Sequence, residues 1–363
     1  MFDVIIIWAG ASGLFLWSIL SEDLKKVILE KTDKCWSKLL LSWNGRCNFT
    51  NLNVNADKYI WENKDNLNHL FKECSPKKII RYFKSNWIES KEEDNWRILL
   101  KSNKSKQLLD FLTEGNKKNN TEIVFNEEVL NIEKKWDNFC IKTNNNTRET
   151  KRIVIATWWK SFPQLGASDF VFSFCKKNNI KTKSPSPALC WIETKENLSS
   201  LSWSSIIADI EIKDEKMKNI YNNSWTVLFT HRWISWPVIF NTSLFLGYYY
   251  KNFNKLTIKL HIKNKNMTKR LFSFLWTKRK LDNYILTLHP TKLKERESAK
   301  VTSWWIYLEE LSDNFELKKL PNIFIIWEAL NITWETWWYN LHRARTSAYQ
   351  CYKAIDPTSH ELV

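Results

Sequence analysis

The sequence predicts an α/β protein in which a parallel sheet flanked by helices is interrupted by a second, β-rich domain. Three observations predict it. FDVIII at residues 2–7 is a short apolar run, LFLWSIL after it has helical length and spacing, and KVILE is a second strand ending at Glu30. That is a β-α-β unit of about 30 residues, which demands parallel strands and a right-handed crossover. From residue 185 the texture changes, with Pro185 and Pro187 followed by the alternating segments SIIADIEI, TVLFT and KLTIKLHI. Near the end of the chain, NIFIIWEAL and a helical pattern over 338–355 resume the character of the beginning.

Taken in order, residues 66–86 and 104–114 read as amphipathic helices, and TEIVF, EVLNIEK, NFCIKT and KRIVIAT as strands of a meander returning to the main sheet. The Lys-rich stretch 267–298 is expected to be helical. The resulting division is a first domain over residues 1–185 and 300–363, with an insert over 186–299 that holds a small β-barrel and helices.

Composition narrows the class. The chain has 363 residues and a formal charge of +16, with Lys and Asn enriched throughout rather than in one block. An even spread of this kind is the mark of compositional drift, so nucleic acid is not the expected partner, and a small-molecule substrate is. No uninterrupted apolar run of about 18 residues follows the first helix, so no membrane span is expected. Seven Cys without a C-x-x-C pair give neither a disulfide framework nor a metal site, and a reducing cytoplasm fits. The oligomeric state is not legible.

The chain carries 22 Trp and only 6 Gly, together about 8% of its residues. Soluble proteins average about 7% Gly. The Trp residues stand in SWNG, ATWWKS, ISWP, TSWW and TWETWW, among polar and Pro neighbours typical of turns. Trp belongs on buried apolar faces. The expectation is a gene from a bacterial lineage that reads UGA as Gly, here translated as Trp. The alternative is a protein rich in genuine Trp.

With Trp8 taken as Gly, Trp8-Ala9-Gly10-Ala11-Ser12-Gly13 becomes G-x-G-x-x-G between a strand and a helix. The first Gly makes the tight turn, the second lets backbone approach a pyrophosphate, and the third lets helix pack on strand. Glu30, with Lys31 beside it, stands where an acid accepts hydrogen bonds from an adenosine ribose. These residues predict a Rossmann-type dinucleotide site. A literal indole at position 8 would project towards the phosphate path.

Trp36 to Asn51, read as GSKLLLSGNGRCNFTN, resembles the signature of the YhiN-like flavoproteins, among them aminoacetone-oxidase-like and BaiN-like enzymes. Further blocks similar to that family are NWRILLKSNKS, ATWWKSFPQLG, LFTHRWISWPVIFNTS, VTSWWIYLEE and WEALNITWETWWYNLHRARTSA, in the family's order along nearly the whole chain. There are two departures. Asn331 stands where the family usually has Asp, and Leu100 where it has Pro.

The resemblance implies a glutathione-reductase-like FAD-binding domain, FAD as cofactor and NAD(P)H as co-substrate. It places Lys38, Arg46, Cys47 and Asn48 in a loop around the flavin's phosphates; without a partner Cys, Cys47 reads as a buried structural residue and not as a redox thiol. Thr157, Trp158 and Trp159 fall where the chain returns to the flavin. Trp327, Glu328, Asn331, Trp337, Trp338, Tyr339 and Asn340 fall along its ribityl chain and ring. His231, flanked by turn residues, is the candidate proton donor; fixing the insert domain is its alternative role. The reaction expected is NAD(P)H-linked reduction of an activated carbon–carbon double bond, with amine oxidation also represented among family members. The alternatives are a basic aromatic nucleic-acid binder without enzymatic activity, or a flavoprotein acting on RNA.

Overall fold

The computed structural model describes residues 1–35, 48–60, 64–94, 96–114, 121–157, 168–250, 252–263, 269–277, 284–294, 299, 301–330, 332–334 and 337–357. The chain divides into two compact units, one of Met1–Ser184, Trp304–Thr333 and Trp337–Val363, the other of Pro185–Ser303 and Trp334–Thr336.

The first unit is α/β. Strand β1 (Phe2–Ile7) runs into helix α1 (Ala11–Ile19) and then β2 (Lys26–Leu29). The last four residues of β1 and all four of β2 are buried, as strands covered on both faces of a parallel sheet must be. A three-stranded antiparallel sheet follows from β3 (Asn48–Asn51), with helices α2 (Lys64–Glu73) and α3 (Pro76–Ser85) intervening before β4 (Ser90–Glu93) and β5 (Arg97–Leu100). Leu100, the departure from the expected Pro, pairs with Ser90 and is fully buried.

Helix α4 (Ser105–Glu114) leads to β6 (Thr121–Val124), β7 (Val129–Lys135), β8 (Asn138–Thr143) and β9 (Thr147–Ile155). The expected meander holds for β7, β8 and β9 but not for TEIVF. Those residues instead lie parallel to β2 at the edge of the main sheet, in register Val27 to Glu122. A short apolar segment carries no mark of which neighbour it will join, so the error is one of topology and not of element type. Helix α5 (Phe170–Lys177) ends this part of the unit.

The second unit holds β10 (Ile192–Thr194), β11 (Ser205–Lys213), β12 (Asn219–Phe229), β13 (Trp233–Ser235), helix α6 (Pro237–Tyr249), β14 (Thr257–Ile262), helix α7 (Lys269–Thr277), β15 (Ile285–Leu288) and β16 (Pro290–Leu293). Its antiparallel strands run in the order β15-β14-β11-β12-β13-β10-β16. The two outermost strands are separated in sequence by His289 alone, so the sheet is rolled into a small barrel whose seam the chain itself crosses. Ile206, Ala208, Ile210 and Ile212 alternate inward and are buried. The expectation of helix across 267–298 is corrected here. Helix occupies 269–277 and the alternating ILTL and PTKL segments are strands, their period of two outweighing the Lys-rich setting.

The chain then returns to the first unit with β17 (Ile323–Ile325) and helix α8 (Trp337–Ile355). The parallel core reads β6-β2-β1-β9-β17, with Ile5 opposite Ile153 and Ile153 opposite Ile323. Strand β9 changes partner along its length, since residues 147–150 pair with β8 and 153–155 with β17. Helix α8 packs on α1 and β3. No described helix is long and apolar enough to cross a membrane.

Candidate cofactor site

The carboxyl ends of β2, β1, β9 and β17 lie side by side. The Trp8 amide donates to the Leu29 carbonyl at 2.8 Å, that of Ala156 to Ile7 at 3.1 Å and that of Ile326 to Ile155 at 3.0 Å. Ligands of open parallel sheets bind at such strand ends. This places Trp8 to Gly13, Glu30, Thr157, Trp327 and Glu328 along one edge, although they lie up to 320 positions apart in sequence.

The turn after β1 is built as a phosphate cradle. Gly10 is the N-cap of α1, no side chain caps that end and no acid lies in its first turn, so the orphan amides carry their positive dipole outward. A Cβ on Gly13 would lie 2.2 Å from the Trp8 carbonyl oxygen, so helix and strand approach as only Gly allows. Glu30 is 1% exposed. Its Oε2 accepts from the Ala9 amide at 2.9 Å, and its Oε1 accepts from the Thr32 amide at 2.9 Å and hydroxyl at 2.7 Å. Burial raises its pKa, opposed by these hydrogen bonds. Within the chain, then, Glu30 ties the end of β2 to the turn after β1. Lys31 points elsewhere, into a 2.7 Å ion pair with Glu128.

Two buried hydroxyls at this edge, Ser12 Oγ in α1 and Thr157 Oγ1 after β9, find no hydrogen-bond partner. A buried donor left unpaired costs about 1–3 kcal/mol, so such groups point to a ligand.

Other expected residues fall as follows. Glu328 is buried in the short turn after β17, and Asn340 is buried in α8. Tyr339 gives its carbonyl to the Tyr59 hydroxyl at 3.3 Å, and Trp337 and Trp338 open α8. Asn48 begins β3 opposite Leu99. Lys38, Arg46, Cys47, Trp158, Trp159 and Asn331 lie outside the described residues. His231 is exposed in the turn between β12 and β13 of the second unit, its carbonyl accepting from the Leu198 amide at 2.8 Å. Among the described residues no cluster of His, Cys, Asp or Glu could hold a metal.

Sequence reasoning missed a buried polar row on α8. His342, Arg343 and Arg345 are each at most 2% exposed. His342 Nδ1 lies 2.8 Å from Thr50 Oγ1, and burial together with Arg345 pulls the imidazole down to about 3. Arg345 donates to the Phe49 carbonyl and stacks over the Phe49 and Phe83 rings. Arg343 lies 5.9 Å from the Trp327 ring, its Nε and Nη1 without hydrogen-bond partners; burial lowers its pKa to about 10, against the pull of Glu328 and Tyr59. Polar residues in a helical pattern read as the solvated face, and no signal in HRART marks these as interior.

Residues 2–354 match the HI0933-like protein Rossmann domain. The chain belongs to the HI0933-like family. This is a family of FAD-binding oxidoreductases, and the YhiN-like resemblance of the sequence falls within it. The chain is 25% identical to the ribosomal RNA dihydrouridine synthase of Escherichia coli, over 96% of this chain and 97% of that one. It is 24% identical to the protein of the same name from Haemophilus influenzae, over 97% and 98%. A 3-dehydro-bile acid delta(4,6)-reductase of Clostridium scindens matches at 22% over 53% of this chain and 47% of its own. Among solved structures, the 3-ketosteroid-delta4-(5alpha)-dehydrogenase of Rhodococcus jostii is 10% identical with a TM-score of 0.49, covering 98% of this chain and 96% of its own. That distance is too great to bear on function.

The HI0933-like frame fits the adenosine end of FAD in its backbone. The uncapped helix start, the close approach at Gly13 and the orphaned Ser12 and Thr157 hydroxyls all suit a dinucleotide. Two side chains do not fit. The Trp8 indole lies over Gly10, with Cδ1 2.9 Å from where a Cβ there would stand, and so fills the space that the second Gly of the motif leaves for phosphate. Trp327 is 5% exposed and puts a second indole at the same edge, beside Arg343.

Proposed function

We propose that this protein, with Gly at positions 8 and 327, is an FAD-dependent reductase that uses NAD(P)H to saturate the 5,6 double bond of uracil in ribosomal RNA. The observation that carries the reading is the end-to-end match to two curated relatives named ribosomal RNA dihydrouridine synthase. Dihydrouridine differs from uridine by two hydrogens across a double bond conjugated to a carbonyl. The overall change is therefore uracil, NAD(P)H and a proton giving dihydrouracil and NAD(P)+. It belongs to the class expected from the sequence, reduction of an activated carbon–carbon double bond. A bound flavin supplies the hydride chemistry. The chain's part is to hold the cofactor at the strand ends and to bind the substrate. The formal charge of +16, set aside in the sequence as drift, favours a polyanionic substrate.

The test uses the Trp8→Gly/Trp327→Gly protein loaded with FAD. It is incubated with NADH or NADPH and ribosomal RNA from cells lacking dihydrouridine there, and the digested nucleosides are analysed by mass spectrometry. New dihydrouridine supports the reading. Oxidation of NAD(P)H by a conjugated small-molecule enone with no change in the RNA would replace it with a second reading, which the partial match to the bile-acid reductase favours.

A further inference from the structure

Among the described residues, those other than Gly with a positive φ are fifteen, and seven of them are Trp: Trp8 (97°), Trp87 (64°), Trp96 (61°), Trp136 (54°), Trp203 (66°), Trp236 (93°) and Trp327 (70°). Four of the remainder are Asn, the side chain that tolerates this region best. A bulky L-residue there is an outlier, because its Cβ crowds the following carbonyl.

The local geometries are those that call for Gly. Helix α3 ends in a double hydrogen bond, from the Ile88 amide to the Phe83 carbonyl at 2.8 Å and from the Trp87 amide to Lys84 at 3.1 Å. This is a Schellman motif, and its left-handed residue is usually Gly and sometimes Asn. Helix α5 ends the same way, Ile180 to Cys175 at 2.9 Å and Asn179 to Lys176 at 3.3 Å, with Asn179 in the left-handed position. The same motif thus carries Asn once and Trp once.

Trp136 and Asp137 form the two-residue loop between β7 and β8, with Lys135 opposite Asn138. A positive φ at the first loop residue alone is the type II′ hairpin, which takes Gly there. Trp96 closes the three-residue loop between β4 and β5 in the left-handed position that also favours Gly. Trp236, at φ 93° and ψ 166°, occupies a region that is essentially restricted to Gly. Five of the seven indoles gain little from burial, with Trp87 89% exposed, Trp136 94% and Trp203 75%, and Trp96 and Trp236 exposed as well. The two that are buried, Trp8 and Trp327, fill the edge where the family's cofactor belongs.

We infer that Gly is the native residue at these seven positions, and that the cofactor cradle is complete only with Gly at 8 and 327. The codon concerned is read as Gly in the cell of origin and has been written here as Trp. Five of the seven assignments rest on turn geometry remote from the FAD reading. The inference can therefore stand if that reading falls.

The deciding experiment is tandem mass spectrometry of the protein from its source cells. The tryptic peptide of residues 85–91 contains position 87 as its one Trp. Gly in that peptide supports the inference, and Trp overturns it. A recombinant comparison adds an independent measure. The chain with all seven positions changed to Gly should melt well above the literal chain, each left-handed position favouring Gly by roughly tenfold in the folding equilibrium. The control changes Phe272 in α7 and Leu130 in β7 to Gly, and should melt lower, because Gly weakens element interiors. A seven-Gly protein that melts below the literal chain overturns the backbone argument. One that melts higher and takes up FAD supports both inferences, whereas one that melts higher and takes up none leaves the Gly assignment standing and removes the FAD reading.

Discussion

The same unusual residue is carried in opposite ways at exposed positions and at the edge of the parallel sheet. In the barrel unit, Trp203, Trp225 and Trp236 project outward, 75%, 54% and 45% exposed. At the parallel sheet's edge, Trp8 and Trp327 are 4% and 5% exposed and occupy the space over the strand ends. An indole at an exposed turn burdens only the backbone beneath it. At the sheet edge it also displaces a ligand. Exchanging the same residue should therefore be read as stability at the exposed positions and as cofactor binding at the sheet edge.

The largest expected effect is at the close contact that both readings of position 8 share. Gly13→Ala sets a Cβ 2.2 Å from the Trp8 carbonyl, a backbone atom that cannot swing aside, and should cost about 3 kcal/mol or more. Circular dichroism during urea unfolding would show it; a variant as stable as its parent would mean that helix and strand do not meet as described.

Next comes His342, whose folded pKa of about 3 lies below its ordinary 6.5 because of burial and Arg345. The unfolded chain binds the extra proton first as pH falls. The stability that depends on neutral His342 is thus fully present above about 6.5 and is lost towards pH 3, a slope on the order of a few kcal/mol in all. His342→Gln should flatten the acid limb of a stability–pH curve. An unchanged limb would assign it to carboxylates instead.

Lys26 acts at the opposite end of the pH scale. Its Nζ donates to the carbonyls of Trp17 at 3.2 Å, Leu20 at 2.6 Å and Ser21 at 3.2 Å, closing the end of α1, and burial lowers its pKa to about 8. Between pH 8 and about 10.5 the unfolded chain holds the proton that the folded chain has released, so this group makes stability rise with pH in that window by up to about 3 kcal/mol. Thermal melts of Lys26→Met should lack the rise.

The smallest effect belongs to the barrel unit. Trp203→Gly should stabilise by about 1 kcal/mol and leave FAD uptake untouched, whereas Trp8→Gly should alter uptake. A change in flavin binding from Trp203→Gly would erase the contrast between the exposed positions and the sheet edge.

Much of this was legible beforehand, for stated reasons. The apolar run of β1, the Gly10 and Gly13 spacing and Glu30 lie within one local unit, where period and turn chemistry suffice. The alternation of β11 and β14 was equally plain. What escaped was non-local. Nothing in TEIVF names β2 as its neighbour, and nothing in HRART shows that α8 is covered on the face bearing His342, Arg343 and Arg345. Strands at 285–293 were hidden by the Lys- and Arg-rich sequence on either side of them. At position 8 the sequence was informative because it was wrong for its own pattern, and the backbone angle of 97° at that residue describes the same conflict in geometric form.

The division of β9 between two partners bears on how the molecule comes into being. Its last residues, Ile153 to Ile155, are paired by Ile323 to Ile325. A ribosome must deliver nearly the whole polypeptide before that sheet acquires its final strand. The barrel's strands all lie between Ile192 and Leu293, with an interior of their own, and can pair as soon as that segment emerges. The nascent first unit meanwhile waits with one edge of β9 open, a surface that invites pairing with other chains. Slow steps in refolding should therefore report the late arrival of residues 323–325, and molecular chaperones that shield unpaired strands should speed recovery of the first unit more than that of the barrel.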